Sequence, residues 1–418
     1  MTTMIEEPCV EVGIVRAETI NVEFHGVFAD SLGREYSGSH AFSLADAGRF
    51  FMCVDAESCS FTLKDVVIGI GFHWQRNENQ TFKGSLRLIE EGGKLCAVNV
   101  ASVETYLTSV ISSEMCANAS IELLKAHAVI SRSWLYAIIC RRNRAEGAML
   151  KSYAGAVVED SDVFKYDGAE IDADIKRVIR WYDNEAHVEY DVCADDHCQR
   201  YQGITRQTNP NVKEAIRATR GQVLMFDGQI CDTRFSKCCG GVTEEFQYCW
   251  ENIRHPYLAA KADPYCNTDD KRVLSQILND YDQETTDFYS WEVKYTVDEL
   301  SELVSRRSGV DFGRITDLKP MSRGASGRIT ELLIVGDKAS VRVGKELEIR
   351  KWLSESHLYS SAFDVEKKDD VFVLHGKGWG HGVGLCQIGA AVMADKGKSH
   401  MEILEFYFSG AEVKALWE

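Results

Sequence analysis

Between residues 10 and 100 apolar and polar positions alternate in short runs separated by Gly and Asn/Asp turns, the period-two pattern of half-buried strands. Val10–Val15, Asn21–Phe28, Ser60–Phe72 and Gly84–Glu90 are examples, and Lys94–Val100 is a further strand leading into Val103–Ile111. The period then changes. Ile121, Leu124, Ala128, Leu135 and Ile138 recur at three, four and seven, which predicts a long helix with Ser120 as its cap, Glu122 in its first turn and Arg141-Arg142 near its end. Residues 151–185 are acidic and weakly periodic and read as a helical excursion. Val212–Thr219 predicts a short helix, and Val223–Phe226 with Gln229–Arg234 a hairpin around Asp227-Gly228.

Residues 267–356 differ in composition. They open on polar Asn267–Arg272 and carry a helix, Val297–Ser308, and two strands, Glu331–Val335 and Ala339–Val343, joined through Gly336-Asp337. From Lys377 the chain is Gly-rich, then helical over Ile388–Asp395. The expected fold class is therefore mixed α+β: a β-rich N-terminal part and a central long helix in 10–266, an inserted smaller α+β subdomain at 267–356, and a return to the first unit at 357–418.

The 418 residues are 45% hydrophobic and 27% charged, an ordinary globular balance that excludes collagen-like, disordered and coiled-coil classes. Sixty-four acidic against 47 basic residues give a formal charge of −17, which repels phosphate backbones, so no nucleic-acid partner is expected. Apolar runs such as Val66–Ile70 fall far short of the roughly 20 residues of a membrane span, so no transmembrane segment is expected. Met1–Val12 has neither a basic start nor an apolar stretch, which leaves three expectations: a cytoplasmic protein, a chain trimmed of its signal, or export by another route. Most of the 14 cysteines stand singly in apolar segments and read as small buried hydrophobes. Cys193/Cys198 and Cys238-Cys239 differ.

Four stretches carry candidate chemistry. In Ser112-Ser113-Glu114-Met115 a lone carboxylate sits between apolar Ile111 and Met115, and Lys125 and Arg132 follow on one helix face. A carboxylic acid in an apolar setting keeps its proton closer to neutrality and can serve as a general acid; the alternative is a solvated glutamate beside a charged helix. His187, Cys193, His197 and Cys198 put four borderline or soft ligands within twelve residues, a set suited to tetrahedral zinc, with Asp191, Asp195 and Asp196 as supporting groups; the alternative is a reduced thiol pair with surface histidines. Gly240-Gly241 allows a tight turn beside Lys237, Thr243 and Glu244, either a plain hairpin turn or a substrate contact. Gly376–Gly384 alternates glycines around Trp379 and His381, with Gln387 beyond. Such a loop either presents Trp and His to a sugar ring or is simply a glycine-rich turn, and it matches no nucleotide motif.

In this order, Val98–Leu107, Ser112–Met115, Leu124–Val129 through Arg132, Gly240–Glu244 and Gly378–Ala390 resemble the SpoIID/LytB family of bacterial cell-wall proteins, and weaker likeness runs from about residue 10 to 415. The resemblance implies a lytic transglycosylase that cleaves the MurNAc–GlcNAc bond of peptidoglycan without water and leaves an anhydro-muramyl end. It implies Glu114 as the catalytic acid, with Lys125 and Arg132 in support. Ser113, Lys237, Gly240, Gly241, Thr243, Trp379, His381 and Gln387 would contact substrate. Zinc is implied at His187, Cys193 and Cys198, as a structural or positioning ion beside the site, the fourth position going to His197, water or Glu114. The implied partners are glycan strands, including strands stripped of stem peptides, and the implied location is the cell envelope. The alternative is a wall-binding enhancer of an N-acetylmuramoyl-L-alanine amidase, with no catalysis of its own. Hydrolysis by the metal itself ranks lower, because two thiolates blunt the Lewis acidity of zinc.

Overall fold

The computed structural model describes residues 6–55, 58–69, 75–116, 119–146, 175–182, 187–195, 197–206, 210–277 and 287–418, with side chains in the long helix described as far as Cys140. The N-terminal strands are β1 (Cys9–Ala17), β2 (Thr19–Asp30), β3 (Glu35–Ser43), β4 (Phe50–Cys53), β5 (Ser60–Ile68), β6 (Arg76–Phe82), β7 (Ser85–Glu91) and β8 (Lys94–Ser102). They pair antiparallel in the order β1-β8-β7-β4-β2-β5-β6, with β3 folded onto β2. Alternation drives this. Ile20, Val22 and Phe24 of β2 are buried and their neighbours face out, and Phe24, Phe28, Phe51 and Phe61 interlock beneath the sheet.

Two helices follow, α1 (Val103–Glu114) and α2 (Ile121–Glu146). Every side chain from Ala126 to Leu135 of α2 is buried. Its span Ile121–Cys140 has the length and hydropathy of a membrane crossing, yet 83% of that window is buried inside the protein, as in a core helix. Ser120 Oγ accepts the Leu123 N–H at the helix start, at 3.4 Å. The acidic stretch 151–185 lies mostly outside the described residues, and its described end is a strand, β9 (Lys176–Ile179), rather than a helix.

Then come β10 (Val192–Cys193), α3 (Pro210–Ala218), β11 (Gln222–Phe226), β12 (Gln229–Ile230) and β13 (Phe235–Ser236). The β11–β12 turn has φ of 49° at Asp227 and 73° at Gly228, the left-handed pair expected of an Asp-Gly hairpin. After α4 (Lys271–Leu274) the chain enters β14 (Ser290–Thr296), α5 (Val297–Ser308), β15 (Ile315–Arg323), β16 (Ile329–Gly336), β17 (Ser340–Gly344), α6 (Glu346–Trp352), β18 (Phe363–Lys368) and β19 (Val371–Lys377). These build a second core of Val297, Leu300, Leu332, Ile349, Trp352, Phe372 and their neighbours, to which Val178 of β9 contributes. The chain returns through β20 (Leu385–Cys386), α7 (Gln387–Asp395), α8 (His400–Tyr407) and β21 (Glu412–Ala415). β20 lies parallel to β13, Phe235 opposite Leu385 and Ser236 opposite Cys386, so the segments on either side of the excursion are joined at its neck.

Candidate active site and metal centre

Glu114 is the last residue of α1. Ser102 caps the helix start by accepting the Thr105 N–H, and Tyr106, Leu107, Val110 and Ile111 anchor the buried face. At Met115 the backbone turns extended, φ −116° and ψ 150°, which leaves Glu114 partly exposed at the end of a rigid element. Glu114 Oε1 accepts the backbone N–H of Arg200 at 3.2 Å.

Arg200 stands two residues past Cys198, in the segment that carries the histidines and cysteines. His187 Nε2 is 3.5 Å from Cys198 Sγ, His197 Nδ1 is 3.5 Å from the same sulfur, and His197 Nδ1 is 4.0 Å from Cys193 Sγ. The four donor atoms all lie within 4.8 Å of one another. Metal–ligand bonds of about 2.0–2.3 Å in a tetrahedron place ligand atoms roughly 3.3–3.8 Å apart, so this set fits one ion. Hydrogen bonds from Cys198 and the two histidines hold the Cys193 thiol far below its usual range, while burial and the neighbouring Cys193 keep the proton on Cys198.

The sheet positions the group. β10 adds parallel to β1, with Gly13 opposite Cys193, and Asp191 Oδ2 accepts the Glu11 N–H at 2.9 Å. Tyr190 packs over Gly13 and stacks on His187 with ring centres 4.9 Å apart. Asp195 lines the adjoining cavity, and Asp196 lies outside the described residues. That cavity, about 390 Å³, is walled by Gln80, His187, Cys193, His197 and Arg200 among others. Tyr106, on the buried face of α1, has its phenol proton held by burial, with Cys198, Cys193 and Glu114 nearby adding to the effect, which places the acid and the Cys/His group around one buried phenol.

The other expected site residues lie elsewhere. Arg132 is fully buried, and its guanidinium is bound to both carboxylate oxygens of Glu104 and to the Gln222 carbonyl, so it cannot reach a substrate. Lys125 pairs with Glu122 at 2.8 Å, and Glu122 also holds His400. Ser113 is buried and donates its hydroxyl back to the Ser109 carbonyl. Gln387 is buried in α7 against His127, at 3.2 Å. Lys237 Nζ donates to the Ile277 carbonyl, and buried Thr243 accepts the Lys261 N–H. Gly240 and Gly241, both at positive φ, face Gly378 and Tyr289.

In the Gly-Trp-Gly-His loop both rings are packed against neighbours. Trp379 stacks on Tyr359 at 4.4 Å and packs on Phe288 at 4.9 Å, and its backbone pairs with Cys238. His381 packs on Trp250 and accepts the Val383 N–H, and burial with Arg234 and Arg328 nearby holds its imidazole neutral, well below the usual range. Both side chains remain half-exposed.

Sequence reasoning missed Arg234. It pairs with Asp232 at 2.7 Å, lies over Trp250 at 4.4 Å, and its charge is felt by both His381 and Cys198. An arginine at the end of a hairpin strand gave no signal of this. The backbone donor of Arg200 is invisible in any residue pattern. A second tight group, Cys239, Asp263, Cys266 and Cys386, was equally hidden, because its members are far apart in sequence.

Comparison with known proteins agrees with the motif reading. Residues 91–226 match the model of the stage II sporulation protein family, SpoIID, and residues 244–384 match a domain of unknown function, DUF8618. An uncharacterized protein of Brachyspira hyodysenteriae is 27% identical over 79% of this chain and 72% of its own length. Stage II sporulation protein D of Bacillus subtilis is 24% identical over 74% of each chain. The amidase enhancer of Bacillus subtilis is 25% identical over 48% of this chain and 32% of its own. Glu114 and the Cys/His group both fall inside the first match, and the chain carries a SpoIID domain at residues 91–226.

Proposed function

We propose that this chain is a lytic transglycosylase of bacterial peptidoglycan, acting in the cell envelope on the MurNAc–GlcNAc bond, with Glu114 as its single acid and base. The observation that carries the reading is the placement of Glu114 at the rigid end of α1, partly exposed, with one oxygen fixed by the Arg200 N–H. Ordinary glycosidases need two carboxylates, one of them to activate water or attack the sugar. A single glutamic acid suffices when it first protonates the leaving glycosidic oxygen and then, as carboxylate, takes the proton from the C6 hydroxyl of the same sugar. That hydroxyl closes on C1, and the intramolecular attack supplies effective molarity in place of water. The residues 187–201 hold the Arg200 N–H in place. Zinc at His187, Cys193, His197 and Cys198 would lock that segment and act by positioning.

One observation favours the amidase-enhancer alternative. Lys125 and Arg132, the cations expected to assist catalysis, are both engaged in ion pairs within the protein. Digestion of stem-peptide-free glycan strands by this chain alone separates the readings. Anhydro-muramyl ends, one water lighter than reducing ends, are the expected product by mass spectrometry. No cleavage, with faster stem-peptide release once an amidase is added, replaces this reading with the enhancer.

A further inference from the structure

We propose that Cys239, Cys266, Cys386 and Asp263 form a second metal centre, a wholly buried tetrahedral site for a single zinc-like ion, which clamps the neck between the SpoIID core and the inserted unit. The site is independent of the Cys/His group and of the catalytic reading.

All four residues are buried, and their ligand atoms lie within 4.8 Å of one another. Cys239 Sγ is 3.4 Å from Cys266 Sγ and 3.3 Å from Asp263 Oδ2. With bonds of about 2.3 Å to sulfur and 2.0–2.2 Å to oxygen, a tetrahedral ion spaces its ligands roughly 3.5–3.8 Å apart, so one ion enters with shifts of a few tenths of an ångström. A polynuclear iron–sulfur cluster has no room inside so tight a set.

The surroundings suit thiolates. The Gly241 N–H points at Cys266 Sγ at 3.1 Å, the Cys239 N–H at Cys386 Sγ at 3.3 Å, and the Gly389 N–H at Cys386 Sγ at 3.4 Å. Cys386 is the N-cap of α7, where the helix end favours a negative sulfur. The carboxylate is held by its own partners: Asp263 Oδ2 accepts the Tyr407 hydroxyl and Oδ1 the Tyr265 N–H, both at 2.9 Å. Among the described residues Asp263 has no basic partner, and a buried carboxylate among three thiols is costly without a cation. Gly389 makes the approach possible. A Cβ there would lie 2.2 Å from the Tyr407 hydroxyl and 2.5 Å from Asp263 Oδ2.

The placement gives the ion a task. Cys239 follows β13, Asp263 and Cys266 lie on the loop before α4, and Cys386 ends β20. The paired β13 and β20 bracket the excursion, and Glu244 meets Val383 across the same neck. One ion there would tie together three segments that also meet through the β13–β20 pair and the bridges Cys238–Trp379, Val242–Ala262 and Glu244–Val383.

The test is metal stoichiometry on the full chain, purified without chelator under reducing conditions. Native mass spectrometry should find two ions per chain in the wild type and one in Cys193→Ser. Cobalt loaded into Cys193→Ser should give thiolate charge-transfer absorption and tetrahedral d–d bands, and Cys386→Ser should lose that ion and melt at lower temperature. Were Cys386→Ser not to fold, the wild-type stoichiometry and the cobalt spectrum still decide. A metal-free Cys193→Ser chain overturns the proposal. So does a Cys239–Cys266 disulfide found by peptide mapping of the wild-type chain, unfolded and alkylated without reductant.

Discussion

Arg200 donates its backbone N–H to Glu114 Oε1 at 3.2 Å, which ties the end of α1 to the segment bearing Cys193 and Cys198. The contact orients the carboxyl through main chain, so it survives side-chain substitution at Arg200. Glu114→Gln keeps an oxygen for that N–H and removes only the proton donor. Glycan cleavage should fall by at least about 10²–10⁴, the usual contribution of a general acid, with an unchanged melting temperature. Substantial turnover in purified Glu114→Gln takes the acid role from Glu114.

Arg132 has a different part. Glu104 accepts from Arg132, from the Gly221 N–H at 3.0 Å and from Trp417 Nε1 at 3.0 Å, a buried network tying α1, α2 and the C-terminus together. Removing the guanidinium strands a buried carboxylate. Arg132→Met should cost about 3–5 kcal/mol in urea unfolding, and the Arg132→Met, Glu104→Gln pair should cost less than the single change. A stable Arg132→Met chain that has lost only its activity would return Arg132 to the site.

The strands around Val10 and Lys94, the helix at Val297–Ser308 and the Asp227-Gly228 hairpin were legible because each has a local cause: alternation, a Thr296/Glu299 capping box, a left-handed turn pair. Polar β6 and short β4 were not, since their place comes from sheet neighbours. Within the site, Glu114 and the Cys/His spacing were visible as residue types. The fate of Arg132, Gln387 and Trp379 was not, because whether a polar or aromatic side chain faces solvent or a buried partner is set by tertiary contacts such as Glu104, His127 and Tyr359.

Trp379→Ala tests the packing of the glycine loop. The indole fills the space between Tyr359 and Phe288, so its removal should lower stability by roughly 2–4 kcal/mol. Thermal melting of the purified variant is the measurement. A melting temperature equal to wild type would mean that the loop opens in solution and presents its ring.

His127 gives the protein an acid-sensitive element. Burial, with Lys237 adding repulsion, pushes its imidazole from 6.5 down to about 3, so the folded chain holds it neutral between Ser131 and Gln387. Between those values the unfolded chain binds one more proton than the folded one. Stability from this group is full above about pH 6.5 and is lost as pH falls toward 3, by up to about 1.4 kcal/mol per pH unit. His127→Gln should flatten that slope in urea titrations at pH 7, 6 and 5, whatever its own cost in stability. A slope equal to wild type would mean that other groups set the acid limb.

Gly13 governs the geometry of the Cys/His group without belonging to it. A Cβ at this position would lie 2.5 Å from the Tyr190 ring, inside any real contact, and the atoms it meets belong to a rigid ring rather than a flexible tail. Tyr190 would have to swing away from β1, and its stacking on His187 would go with it. Gly13→Ala should therefore weaken metal binding at His187, Cys193, His197 and Cys198 by about tenfold or more, the scale of losses from groups that orient ligands. Tyr190→Ala should produce a loss of similar size, because both changes act through the same ring. Competition with a chromophoric zinc chelator measures both affinities. If Gly13→Ala binds as tightly as wild type, the ring moves without disturbing His187, and the orienting role of Tyr190 falls.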